Sequence, residues 1–230
     1  MSFGQMPPGW IAAGGLTEFS GGAGVSGRML AAAKCYLAIA GYRMAQTDDT
    51  VLSTSDFQAV TGLSKPMIFE GLTILDSMEL ITIDSRFAAN TNAYRVGDLT
   101  AGFRKVPQDI LAECLPLIPN RGIGGLDAVK LYIALLYYRD EATHSATVSH
   151  QSLRTITGIR PENITKAYSV LHTAGLVVVE RMSSWSSNGG HPMNVYRLKG
   201  DFVGRRARVL RPTEQRRKSR ATAKVAPWAQ

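Results

Sequence analysis

The sequence predicts a mixed α+β chain, mostly helical, in which one domain is written twice and followed by a disordered basic tail. Three observations carry this. First, residues 61–84, TGLSKPMIFEGLTILDSMELITID, and 157–180, TGIRPENITKAYSVLHTAGLVVVE, share one pattern: a Thr-Gly turn, an amphipathic stretch at helical spacing, then a strand-like run. Second, residue i set against i+96 aligns 34–84 with 130–180 without a gap. Lys34/Lys130, Tyr36/Tyr132, Arg43/Arg139, Thr61/Thr157, Gly62/Gly158, Ile68/Ile164 and Leu75/Leu171 are among the identical pairs. Third, nine of the 26 Lys and Arg residues but one of the 18 acids fall within 205–224, so the charge of +8 belongs to that segment and the rest of the chain is neutral. A period near a hundred residues is too long for a solenoid repeat. It divides the chain into domains of about 1–100 and 101–203, with the tail over 204–230.

Each copy reads as the same series of elements. MPPGWIA (6–12) and VPQDILA (106–112) place Pro where a short helix begins, a favoured position for it. Long apolar helices follow over 29–44 and 127–142. After a polar loop come short strands, VLST and TVSH, and then short helices with Ser53 and Ser149 as N-caps. Gly62 and Gly158 end those helices, where glycine takes a positive φ at little cost. The next helices span 65–78 and 161–174. Their apolar positions Ile68, Leu72 and Leu75, and Ile164, Tyr168 and Leu171, fall at i, i+4 and i+7, which is one helical face. LITID and LVVVE are strands, and NAYRV and NVYRL return beside them. The second hairpin carries six extra residues.

Several function classes are excluded on this reading. No window approaches ~18 consecutive apolar residues, so no membrane span is expected. The start, MSFGQMPPGW, lacks the basic and apolar regions of a secretory signal. Cys35 and Cys114 lie in apolar helical patterns and read as reduced core thiols of a cytoplasmic protein. GAGVSG (22–27) has the spacing of a dinucleotide fingerprint, but the strand that must lead into it is missing. The four histidines lack zinc spacing. No nucleophile–base set or carboxylate pair stands out. The expectation is a protein that is not an enzyme and needs no cofactor or metal.

The order helix, strand, helix, Gly-containing turn, helix and β-hairpin resembles the winged helix-turn-helix superfamily of DNA-binding domains. TGLSKPMIFEGLTILDSMELI and TGIRPENITKAYSVLHTAGLV, with the Tyr-Arg strand closing each wing, carry the resemblance over nearly all of 29–98 and 127–198. Two such domains in tandem resemble plasmid replication initiators and transcriptional regulators of plasmids and mobile elements. The implied function is sequence-specific binding of double-stranded DNA. A regulator or maintenance protein is the leading role, replication initiation the alternative within DNA binding, and a protein-interaction scaffold the alternative of another class.

A B-DNA major groove admits one helix, whose exposed side chains reach base edges. The second helix after the turn offers Arg160, Glu162, Asn163, Thr165, Lys166 and Ser169, of which Arg suits guanine and Asn adenine. The first offers Ser64, Lys65, Pro66, Met67, Phe69, Glu70 and Thr73. Met67 and Phe69 suit protein contacts better than bases and are assigned to a homodimer interface. The first wing contributes Arg86. The longer second wing has Arg181, Trp185, Asn188 and His191 around a Gly-Gly tip, placed to follow phosphates or enter the minor groove. Trp185 packing under its own hairpin is an equal alternative. The tail's Arg205, Arg206, Arg208, Arg211, Arg216, Arg217, Lys218 and Arg220 are expected on phosphates.

Overall fold

The computed structural model describes residues 3–22, 24–43, 49–88, 91–100, 102–181 and 194–202. Within them one order of elements occurs twice. The first half runs β1 (Phe3–Met6), α1 (Gly9–Ala12), α2 (Ser26–Tyr42), β2 (Thr50–Ser53), α3 (Thr54–Thr61), α4 (Lys65–Ser77), β3 (Ile81–Ala88) and β4 (Thr91–Val96). The second runs β5 (Arg104–Pro107), α5 (Gln108–Cys114), α6 (Ile123–Tyr138), β6 (Ser145–Val148), α7 (His150–Thr157), α8 (Pro161–Thr173), β7 (Val177–Arg181) and β8 (Asn194–Leu198). A single 3₁₀ turn follows each first short helix, at Gly15–Thr17 and Leu115–Leu117. The chain is thus α+β, with small antiparallel sheets of orders β2-β4-β3 and β6-β8-β7.

The repeated residues build the repeated turns. Ser53 caps α3 by accepting from the Asp56 amide, and the Asp56 carboxylate accepts from the Ser53 amide at 2.8 Å. Ser149 caps α7 by accepting from the Ser152 amide at 3.0 Å. Gly62 and Gly158 then reverse the chain at φ of 67° and 66°. The preceding threonines pin that reversal from inside. Each hydroxyl donates to the carbonyl one helical turn back, Thr61 to Phe57 at 2.6 Å and Thr157 to Leu153 at 2.5 Å. Each also accepts from the amide two residues on, Leu63 and Ile159, at 3.2 Å. Both threonines are wholly buried, so the Thr-Gly pair serves geometry rather than a surface.

Both ends of the long helices and one contact differ from the sequence reading, which also had no counterpart of β1 and β5. The long helices start three or four residues earlier than expected, taking Gly27, Gly124 and Gly125 into their first turns. They end at Tyr42 and Tyr138, because Arg43 and Arg139 turn to extended ψ values of 127° and 125°. Tyr168 is half-buried, and Ala167 takes the fully buried place on α8 beside Ile164 and Leu171.

One continuous core runs through both halves. Helices α2 and α6 pack together at its centre and are buried almost throughout. The segments that lead into these helices cross over. Strand β1 pairs antiparallel with β5, Phe3 opposite Pro107 and Met6 opposite Arg104. Helix α5 and the 3₁₀ turn at Leu115–Leu117 pack on α3, while the turn at Gly15–Thr17 packs on α7. The sequence boundary near residue 100 therefore separates two copies of an element order but not two cores.

The crossing is pinned by a lysine in each half. Lys34, wholly buried, donates to the carbonyls of Thr61 (3.1 Å) and Ile118 (2.8 Å) and to Asn120 Oδ1 (2.7 Å). Asn120 in turn donates to Gly62 O at 2.7 Å. Burial holds the Lys34 ammonium down, at a pKa of about 8. Lys130, its counterpart, donates to Phe19 O at 2.9 Å.

Candidate nucleic-acid interface

The turn after α7 aims α8 outward. Pro161 occupies its first turn, where a missing amide proton costs nothing. Ile164, Ala167 and Leu171 are buried, and α8 packs against α6. The six side chains that the sequence placed on the opposite face divide into two groups. Glu162, Thr165, Lys166 and Ser169 are exposed, with the Ser169 hydroxyl donating to Thr165 O at 3.0 Å. Arg160 and Asn163 instead border a cleft between the halves. Arg160 is exposed, one residue ahead of the helix. Asn163 is half-buried, and its amide donates to Asp127 Oδ2 at 3.1 Å.

Helix α4 has the same frame and different chemistry. Ile68, Gly71, Leu72 and Leu75 are buried. Ser64, Lys65, Pro66 and Thr73 are exposed, Met67 is half-buried, and Phe69 is 50% exposed. The Lys65 ammonium lies 5.7 Å from the Phe69 ring centre, a cation–π contact. Glu70 is held by Arg28 at 2.5 Å. Gly71 was not singled out by its sequence context. A Cβ there would stand 2.8 Å from the Ala31 carbonyl carbon, so glycine lets α4 cross α2 closely.

The backbone of Arg86 lies in β3, and Arg181 ends β7. Their side chains lie outside the described residues, as do Trp185, Asn188 and His191 of the second wing. The same holds for Arg205, Arg206, Arg208, Arg211, Arg216, Arg217, Lys218 and Arg220.

The cleft has a volume of about 910 Å³ and takes walls from both halves. The Gly-rich lead-ins contribute Gly21, Gly22, Gly24 and Gly122, Met67 and Glu70 come from α4, and Arg160 and Asn163 come from the start of α8. Arg28, Asn120, Arg121, Asp127 and Lys130 complete it. The two candidate reading helices therefore begin on one shared opening. Asp127 and Lys130 sit one helical turn apart on α6 and are almost fully buried. Burial raises the Asp127 carboxyl against the pull of Lys130, Asn163 and Arg160, and it lowers the Lys130 ammonium against the pull of Asp127. Sequence reasoning missed this cleft because its residues come from several separate stretches. Its one sequence signal is a pair of Gly-rich lead-ins at corresponding places.

Among the described residues, no cluster of His, Cys, Asp and Glu has the arrangement of a metal site, and no helix is long and apolar enough to cross a membrane. Both cysteines are free and buried, and burial pushes their thiols up. Comparison of the sequence with known protein families and with curated proteins finds no match to either.

Proposed function

We propose that the chain is a sequence-specific double-stranded DNA-binding protein built from two winged-helix units in tandem. In this reading it acts as a transcriptional or maintenance regulator of a plasmid or mobile element. The observation that carries the reading is α8: a helix set after a rigid Thr-Gly turn, packed on one face, with Glu162, Thr165, Lys166 and Ser169 exposed on the other and Arg160 at its start. A helix so presented fits a major groove, where Arg160 suits a guanine edge and Lys166 a phosphate. The basic tail adds affinity without sequence preference.

Helix α4 serves a second purpose in this scheme. Its exposed Phe69 and half-buried Met67 form the contact between two copies of the chain. A two-fold pair is the commonest assembly of identical chains. The testing experiment is selection of bound duplexes from a random pool with the full chain, followed by a salt titration on the enriched sequence. Enrichment of one motif, with log affinity falling linearly in log salt, is the expected result. A pool that stays random, or binding indifferent to salt, refutes the reading.

A further inference from the structure

Glycines line part of the cleft between the halves, Gly21, Gly22 and Gly24 from one lead-in and Gly122 from the other. Its volume of about 910 Å³ matches small-molecule sites, which run to roughly 300–1,000 Å³. Its charge is uneven. Arg28, Arg121, Lys130 and Arg160 border it against two carboxylates, Glu70 and Asp127. Glu70 is engaged by Arg28, and Asp127 accepts from Asn163. Arg121 and Arg160 are exposed and make no direct ion pair among the described residues, although the Arg160 charge acts on the Asp127 carboxyl across the cleft. Lys130 directs one of its three protons to Phe19 O.

Duplication accounts for Lys130, the counterpart of Lys34, but not for Arg160. With residue i set against i+96, Arg160 stands against Ser64, while Arg28 and Arg121 lie ahead of the stretches that align without a gap. The first turn of α2, the second lead-in and the start of α8 each contribute an arginine to one opening. A fork of N–H donors fits the oxygens of a phosphate in pairs, which a lone ammonium does not.

We infer that this cleft binds a phosphate or diphosphate group, with Arg121 and Arg160 as its guanidinium donors and Lys130 at its floor. The group belongs either to a phosphorylated small molecule or to the backbone of a bound duplex. The cleft can hold such a group whether or not the chain binds DNA.

The test uses the full chain and pyrophosphate as probe, with chloride at matched ionic strength as the control. Pyrophosphate at about a hundred times its Kd should raise the melting temperature by roughly 5 °C. Arg121→Ala should melt like wild type in chloride and lose most of that rise. Arg154→Ala, on α7 and outside the cleft, should keep it. A duplex arm separates the two sources. If pyrophosphate displaces a bound duplex and Arg121→Ala weakens duplex binding roughly tenfold, the group is a backbone phosphate. If the duplex is indifferent to both, it belongs to a small molecule. The inference is overturned if pyrophosphate leaves wild type unshifted and Arg121→Ala binds duplex normally. It is overturned equally if Arg154→Ala loses the rise as fully as Arg121→Ala. A wild type that binds no duplex yet shows the rise would sink the DNA-binding reading and leave this one standing.

Discussion

Replacing Gly62 with alanine adds a methyl group where the backbone has φ of 67° and where Pro116 Cα and Cβ would stand 3.0 Å away. Gly158, its counterpart, offers a matched control. Its φ is 66°, and the nearest atom to an added Cβ is the Thr17 methyl at 3.5 Å, an ordinary contact. Both substitutions incur the left-handed penalty of roughly 1–2 kcal/mol. Only Gly62→Ala must also displace a proline, which adds overpacking of roughly 1–3 kcal/mol. The difference between the two variants thus isolates the contact of the crossed-over segment with α3. Urea unfolding followed by far-UV circular dichroism measures it. At a slope near ~2 kcal/mol/M the midpoints should separate by roughly 0.5–1.5 M, with equal slopes. Wild type should unfold in one transition, because the halves share a core. Equal costs, or two resolved transitions, would refute the crossed arrangement.

Lys34→Met removes a buried ammonium whose pKa is held below its unfolded value of 10.5, at about 8. Between those values the unfolded chain binds more protons, so the stability of wild type relative to the variant should rise by roughly 2 kcal/mol from pH 7.5 to 10. Urea unfolding of both proteins at the two pH values measures this, and a difference that stays constant would show that the fold holds the Lys34 charge as readily as water does. Arg160→Ala should relax site preference at a cost of ~1–3 kcal/mol, more than Lys65→Ala costs, in a competition between the selected duplex and random DNA. Phe69→Glu should yield a folded monomer, and sedimentation showing wild type already monomeric at all concentrations, free and on DNA, would remove the interface. Ending the chain at Gly204 should weaken all duplexes alike and flatten the slope of log affinity against log salt by roughly one unit per lost contact; an unchanged slope would take the tail off the DNA.

Local chemistry made much of the fold legible. Ser53, Thr61 and Gly62 act on atoms a few residues away, and a twofold repetition of such short-range devices reads directly as a twofold repetition of elements. The helix starts were less legible, because Gly27, Gly124 and Gly125 carry poor helix propensity and tertiary packing overrides it. Gly71 could not be singled out, since its reason lies in the backbone of α2 at Ala31, far away in the sequence. The crossing of the lead-ins was invisible for the same cause: Lys34 reaches Ile118 and Asn120 across more than eighty residues. On the candidate interface, periodicity separated the outer face of α8 from its buried face. It could not show that Asn163 turns towards Asp127, because that partner sits on another helix.

The places where the two copies differ bear on how the whole chain works. Shared residues hold the frame, and unshared ones occur both near the cleft and on the outer faces of α4 and α8. Tyr36 accepts from Trp10 Nε1 at 2.5 Å, but among the described residues the Tyr132 hydroxyl is buried without a partner, because Ile110 stands where Trp10 would. Ala31 packs beneath Gly71, whereas its counterpart Asp127 meets Asn163 at the cleft. A frame held twice by the same residues positions α4 and α8 alike, but their outer faces do not match. Phe69 and Glu70 on α4 stand where α8 carries Thr165 and Lys166. A symmetric reader of repeated half-sites would need matching chemistry on both helices. The exposed Phe69 on α4 and the polar outer face of α8 instead suit, on the proposed reading, one helix for a second chain and one for DNA, so that a dimer would present two copies of α8.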